Sequence, residues 1–550
     1  MKPLAMRFPR IEEFLHSTYF IVMCSLISFF GFFFHVENIA MAVLIALLGF
    51  VFVFSRDLTP SYLIFFLVCW TPLGKYGEGF DYFLPIFYSL IPTAPAIIFH
   101  FVNYPPNRVR GRFFVSLLFV AVACTIGGLT ATSAKEYFAL PAIYYIYMLG
   151  FGMCLFYLIA VNYTSFDKRS IFFIVRAFVV PACLSMLIYL LNYLLEIPNY
   201  AEGKEFRLLY FQFKNNFGNY LLLGIPLTFY LSVKRSGIRS IFYYVLGLME
   251  IATIVISQSR GATMAIAVIA PITLIAMPFM ASKKKDKIKF AIWVSLTVIA
   301  LLAIIFAVRH ELKEFLDKIS IKEDEPREFL YKLAFENFKK HPIFGVGLQY
   351  TNPDFEHYQP QKMAMFWYHS TPMQILGSLG LVGVFAYTAQ FFDRLAVLFK
   401  NSKFNFFVAL SFAGFEAYQI VNPGDFTPVP FVFMLMMLLS LADRHNYNVR
   451  SGIEKDASDT IIKKLSYDIL PRDKIIARLK SNKFFAIFFD NNSKPNVYAT
   501  SDEIDIMKDA IVEEEITDST SISYLLYGDD EHVDQEDPIV SDSDKSGSDG

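Results

Sequence analysis

The stretch Phe290-Ala-Ile-Trp-Val-Ser-Leu-Thr-Val-Ile-Ala-Leu-Leu-Ala-Ile-Ile-Phe-Ala-Val308 carries no charged residue and follows directly on Lys283-Lys-Lys-Asp-Lys-Ile-Lys289. A helix needs roughly 20 apolar residues to cross the hydrocarbon layer, so this stretch predicts a membrane span with a basic end. The same pattern recurs along the chain. Apolar windows fall near 17–35, 38–54, 61–74, 83–102, 113–132, 140–163, 171–195, 216–233, 241–257, 262–280, 290–308, 372–391, 404–421 and 427–442. With 550 residues, 55% of them hydrophobic, and a mean hydropathy of +0.43, the chain exceeds what a soluble core requires. The expected fold is an all-α, polytopic membrane bundle of about 12–14 transmembrane helices.

Lys and Arg set the expected orientation, because short basic loops stay on the cytoplasmic side. Lys2, Arg7 and Arg10 precede the first window, and every second loop after it is basic. These loops hold Arg56; Arg108, Arg110 and Arg112; Lys168 and Arg169; Lys234, Arg235 and Arg239; the lysines at 283–289; and Arg394, Lys400 and Lys403. An even number of spans puts both termini in the cytoplasm, in a multi-pass protein of the cytoplasmic (inner) membrane. The expected organisation is then a cytoplasmic N-terminus over 1–16, a transmembrane bundle over 17–308 and 372–442, and a large extracytoplasmic loop over 309–371. A cytoplasmic juxtamembrane segment over 443–490 and an acidic tail over 491–550 follow.

The tail ends Ser541-Asp-Ser-Asp-Lys-Ser-Gly-Ser-Asp-Gly550, a composition too polar to build a core, and it reads as mostly disordered. Before it, Lys463, Lys464, Arg472, Lys474, Arg478, Lys480 and Lys483 run into Phe484-Phe-Ala-Ile-Phe-Phe489. An amphipathic segment on the anionic inner leaflet and a solvated, charged appendage both fit that pattern. A cytoplasmic partner for the tail is one expectation. A nucleic-acid partner is not expected. Cys24, Cys69, Cys124, Cys154 and Cys183 all lie inside predicted spans, and no spacing suggests zinc. No phosphate-binding glycine loop occurs, so nucleotide hydrolysis is not supported.

The informative polar residues gather at the edge opposite the basic loops, where charge is costly unless it acts. Ser257-Gln-Ser-Arg260-Gly-Ala262 joins two windows with almost no loop. A guanidinium pinned there suits a phosphate, being planar, always charged and able to donate two parallel hydrogen bonds; an interfacial Arg reaching lipid headgroups fits equally. Phe206-Arg207 through Lys214-Asn215-Asn216-Phe-Gly-Asn-Tyr220 interleaves aromatics with Arg, Lys and Asn, which suits a sugar, a headgroup or an ordinary aromatic belt. In the large loop, Arg327 opens a helical pattern with Phe329, Leu330, Leu333, Ala334 and Phe338 on one stripe, which predicts packing on the membrane domain. His341-Pro-Ile-Phe-Gly345-Val-Gly347 ends it. The loop closes with Trp367-Tyr-His369-Ser-Thr-Pro-Met-Gln374 and Gly380-Leu-Val-Gly383. An imidazole at that mouth can serve as a general base, although on the residues alone a helix-start histidine satisfied by a neighbour is the commoner reading.

Together these elements resemble the O-antigen ligase and Wzy-type polysaccharide polymerase superfamily. The resemblance rests on Arg207…Asn215…Tyr220…Pro226, the Ser259-Arg260-Gly261-Ala262 turn, and Arg327 through His341-Pro342 and Gly345-Val346-Gly347 to His369…Gln374…Gly380-Leu381-Val382-Gly383. It covers roughly 200–390, and the acidic tail has no counterpart in it. The resemblance implies a GT-C type membrane glycosyltransferase of cell-surface polysaccharide assembly. Such an enzyme moves a glycan from a polyprenyl (undecaprenyl) diphosphate carrier to an acceptor hydroxyl on a glycan or lipid-glycan, with inversion and without a metal or other cofactor. It assigns His369 as base and Arg260, Arg327 and Arg207 to the diphosphate, with Asn215, Gln258, Ser259 and Gln374 in support. A protein O-oligosaccharyltransferase is an alternative within the class. A transporter or flippase for lipid-linked sugars is the alternative outside it, although no matched pair of halves is visible.

Overall fold

A computed structural model describes residues 8–72, 80–106, 111–131, 137–138, 140–201, 214–257, 259–307, 309, 325–348, 368–426, 429–452 and 459–462. The described residues form an all-helical bundle. In chain order the helices are α1 (Pro9–Leu15), α2 (Thr18–Phe33), α3 (Glu37–Phe54), α4 (Thr59–Trp70), α5 (Phe80–Asn103) and α6 (Phe114–Ile126). Next come α7 (Leu140–Ile146), a π-turn (Tyr147–Phe151), α8 (Gly152–Tyr163), α9 (Lys168–Ala201), α10 (Lys214–Lys234), α11 (Gly237–Ile256), α12 (Arg260–Met280) and α13 (Lys284–Ala307). The chain continues with α14 (Glu325–Lys340), α15 (Thr371–Gln374), a second π-turn (Ile375–Leu379), α16 (Gly380–Leu398), α17 (Lys403–Gln419) and α18 (Val429–Arg450).

Each apolar window carries helix. Seven stretches reach the length and apolarity of a full crossing, or eight when α1 and α2, bent by 56°, count as one. The protein is therefore a multi-pass membrane protein. Helices surrounded by neighbours are apolar all round, and α10 is the clearest case. From Asn216 to Ser232 every residue is buried, enclosed by α9, α11, α12 and α17. Small residues allow the close approach: a methyl at Gly224 would fall 2.5 Å from Ala182 Cβ, and one at Gly218 2.8 Å from Ala262 Cβ. By contrast only 6% of the apolar window of α13 is buried, so its apolar face meets lipid.

The basic end of the bundle is closed by buried polar ties. Asp459 accepts hydrogen bonds from Ser402 Oγ, His445 Nε2 (3.0 Å) and Phe404 N (3.3 Å), and pairs with Lys234 at 3.1 Å. Burial pushes this carboxyl up, but the His445 bond and the Lys234 charge outweigh it and hold it at about 2. Asn401 exchanges two bonds with Ile462, which seats residues 459–462 against the start of α17.

Two features differ from the loop-based reading of charge. Arg394 does not lie in a basic loop: α16 continues to Leu398, and the Arg394 side chain is 3% exposed inside the bundle. Its Nη1 donates to Glu416 (3.0 Å) and Asp425 (3.2 Å), and its Nη2 to Gln390 (3.0 Å). Partners from α17 and the loop after it make that burial tolerable, and no local pattern announces them. Lys400 and Lys403 are buried too, with Lys403 Nζ donating to Ser282 Oγ at 2.8 Å. Likewise α18 runs on through Arg450, past the fall in hydropathy near 443, because Asn446 and Asn448 donate to the carbonyls of Val397 and Phe166. Residues 463–550, with the basic juxtamembrane segment and the tail, lie outside the described residues.

Candidate active site

The turn between α11 and α12 is as tight as the sequence demands. Ser257 Oγ donates to Ile254 O (2.7 Å) and accepts from Ser259 N (3.3 Å), while Thr263 N reaches Ser259 O (2.8 Å). Arg260 is therefore the first residue of α12, where unpaired N–H groups and the helix dipole add positive potential to the guanidinium. Ser259 is fully buried behind it. Gly261 is required by close approach. A methyl there would lie 2.9 Å from Val421 Cγ2, 3.2 Å from Asn422 Nδ2 and 3.2 Å from Tyr418 Cδ2.

His369 is held by a different piece of architecture. Its predecessor Tyr368 is fully buried with Leu330 and Ala334 of α14, flanked by Leu333 and Met373. Asn337 Nδ2 donates to Tyr368 Oη (2.7 Å), and Tyr368 N donates to Gln374 Oε1 (3.0 Å). The predicted stripe of α14 thus packs through Leu330, Leu333 and Ala334, whereas Phe329 is exposed. Gln374 Nε2 donates to Ser378 Oγ (2.9 Å); with both ends of its amide engaged, Gln374 braces the turn before α16. His369 itself has φ +51°, a left-handed conformation unusual outside glycine. Strain of this kind persists only where the surroundings over-determine it, and it clusters at functional sites.

The glycines of the loop interlock backbone on backbone. Val346 N and Gly347 N donate to Gly377 O (3.0 Å) and Ser378 O (2.8 Å), while Leu381 N donates back to Pro342 O (2.9 Å). Gly345 has φ +63°, and a methyl on it would fall 2.4 Å from Ser378 C. We expect Gly345→Ala to lose roughly 1–2 kcal/mol from the positive φ alone, with steric overlap added, and to abolish the His369 geometry. Gly237→Ala, at φ +57° with nothing within 4 Å, should lose only the first part. Thermal melts of the two purified variants separate these outcomes, and equal melting points would contradict the interlock.

The charge of Arg327, near the start of α14, reaches His369. Burial first, and Arg327 second, hold the imidazole below its ordinary proton affinity. Tyr418 abuts Gly261, and the segment after it ties to the His369 turn through Thr371 Oγ1, which donates to Gln419 Oε1 (2.8 Å) and Asn422 O (3.4 Å). Residues 418–425 therefore bridge the Arg260 turn and the His369 turn. The sequence offered a signal here, since Asn422-Pro423-Gly424-Asp425 is a turn between two windows. Arg207 and Gln258 lie outside the described residues, and of Asn215 only the backbone, in the first turn of α10, is described.

Residues 242–388 match the family model described as O-antigen ligase. They contain Arg260, Arg327 and His369. Over these residues the chain is similar to the O-antigen ligase family. No curated protein sequence matches the chain. The O-antigen ligase match spans α12, α13, α14 and the His369 turn and begins inside α11. It supports an O-antigen ligase or polymerase type of function in general, that of a glycosyl-transferring membrane enzyme with lipid-linked glycan and acceptor substrates.

Proposed function

We propose that this protein transfers a glycan from a polyprenyl diphosphate carrier to an acceptor hydroxyl on the face of the cytoplasmic membrane opposite its basic loops, in cell-surface polysaccharide assembly. The observation that carries the reading is His369 itself, held at φ +51° just before α15, with burial first and the Arg327 charge second keeping its imidazole below the ordinary proton affinity and so neutral near neutral pH. A neutral imidazole accepts a proton, and a guanidinium neutralises an anion.

In the proposed reaction the acceptor hydroxyl attacks the anomeric carbon while His369 takes its proton. The new C–O bond forms as the bond from that carbon to the diphosphate oxygen breaks. The electron pair of the broken bond leaves with the diphosphate, whose charge Arg260 and Arg327 balance, with Arg207 as a third cation. A single displacement inverts the anomeric centre. Fixed donors aimed at developing negative charge supply the largest part of such catalysis. The imidazolium then returns its proton to water or to the departing phosphate. Asn215, Gln258 and Ser259 are assigned to orient the donor.

The test is complementation of cells that lack the protein with wild type, Arg260→Ala or His369→Ala at matched membrane abundance. Surface glycan should be lost and carrier-linked glycan should accumulate in both variants. Full complementation by both would remove the site and favour transport of a lipid-linked sugar instead.

A further inference from the structure

Among the described residues, the side-chain amide of Asn422 has no hydrogen-bond partner, although the residue is only 8% exposed. Its backbone is fully employed. Asn422 O accepts from Thr371 Oγ1 (3.4 Å) and Gly424 N (3.0 Å), and Asp425 N donates to Gln419 Oε1 (3.0 Å). The loop backbone is held on both flanks, which fixes where the Asn422 side chain starts. The amide is thus largely enclosed yet uncommitted, a donor left available to a ligand oxygen. Asn422 Nδ2 lies 3.2 Å from where a Cβ of Gly261 would stand, one residue from Arg260 and beside the first turn of α12, whose N–H groups are free of helical partners.

We propose that Asn422 is a further substrate-binding residue, its side-chain amide donating to an oxygen of the carrier diphosphate held by Arg260. This rests on the reading of Arg260 given above and extends it to a residue outside the matched family segment, which ends at 388. A neutral donor suits this position. The guanidinium already balances charge, and the amide adds direction beside the helix N-terminus, where anions are favoured.

The experiment uses full-length protein in lipid nanodiscs, with farnesyl diphosphate as the probe and calorimetric titration as the readout. Wild type, Arg260→Ala, Asn422→Ala and the near-isosteric Asn422→Asp are compared, each with a melt of the ligand-free protein to establish that it is folded. Loss of one hydrogen bond to a charged group should weaken Asn422→Ala binding by about 10-fold or more. Asn422→Asp, which sets a carboxylate against the diphosphate, should bind more weakly still. Asn422 variants that bind as wild type while Arg260→Ala does not would overturn the assignment and leave the Arg260 site standing. Wild-type affinity in all variants, or no binding by wild type, would remove the Arg260 site and Asn422 with it.

Discussion

Replacing His369 by Ala should lower glycan transfer by about 10²- to 10⁴-fold, the usual contribution of a positioned proton acceptor, with little change in donor binding. His369→Asn should be as inactive yet fold well, because Asn tolerates the left-handed conformation that His369 adopts at φ +51°. The pH profile carries the sharper test. The base must be neutral, so kcat/KM falls on the acid side as His369 protonates. Burial and Arg327 both lower its pKa, so that acid limb should sit below the ordinary histidine value of about 6.5. Arg327→Gln removes one of the two causes and leaves burial in place. Its limb should shift upward toward the ordinary value, and the variant should lose activity at mildly acidic pH first. An acid limb that does not move in Arg327→Gln, or activity that rises as pH falls, would disprove a neutral His369 base tuned by Arg327.

Replacing Arg260 by Ala should cost about 10²- to 10³-fold in transfer, comparable to removing a fixed donor from developing negative charge elsewhere. Arg260→Lys is the more telling variant. Lys keeps the charge but loses the planar pair of donors, and its ammonium is more strongly hydrated. A shift of Arg260 to compensate would strain the bonds that Ser257 Oγ and Ser259 O make beside it. Lys should therefore recover less than a tenth of the activity. Recovery to near wild type would mean that Arg260 supplies only potential. Purified protein assayed with carrier-linked glycan distinguishes the two.

Much of the fold was legible because a bilayer imposes one simple demand, a run of apolar residues long enough to cross it. Every window so found is helical, and Phe290–Val308 was readable without any partner: α13 needs little packing, and lipid covers it. The turns that carry the proposed site residues were legible for a local reason too. Arg260 sits in a turn too short to be anything else, Gly345 and Gly347 mark positive φ, and His369 precedes a proline-started helix.

What the sequence could not disclose depends on residues far apart in the chain. Arg394 looked like part of a basic loop because Glu416 and Asp425, which neutralise it, lie 22 and 31 positions away. Gln374 looked available to substrate until its amide met Tyr368 and Ser378. The segment 418–425, which bridges the Arg260 turn and the His369 turn, was visible only as a turn. By itself, then, the sequence determined that the chain spans a membrane and where its helices run, because those are properties of period, length and local turn chemistry. Tertiary structure alone decided that Tyr368, next to His369, is buried against α14 and that an asparagine amide is left facing Arg260's turn, because burial and hydrogen-bond accounting depend on which distant backbones the fold brings together.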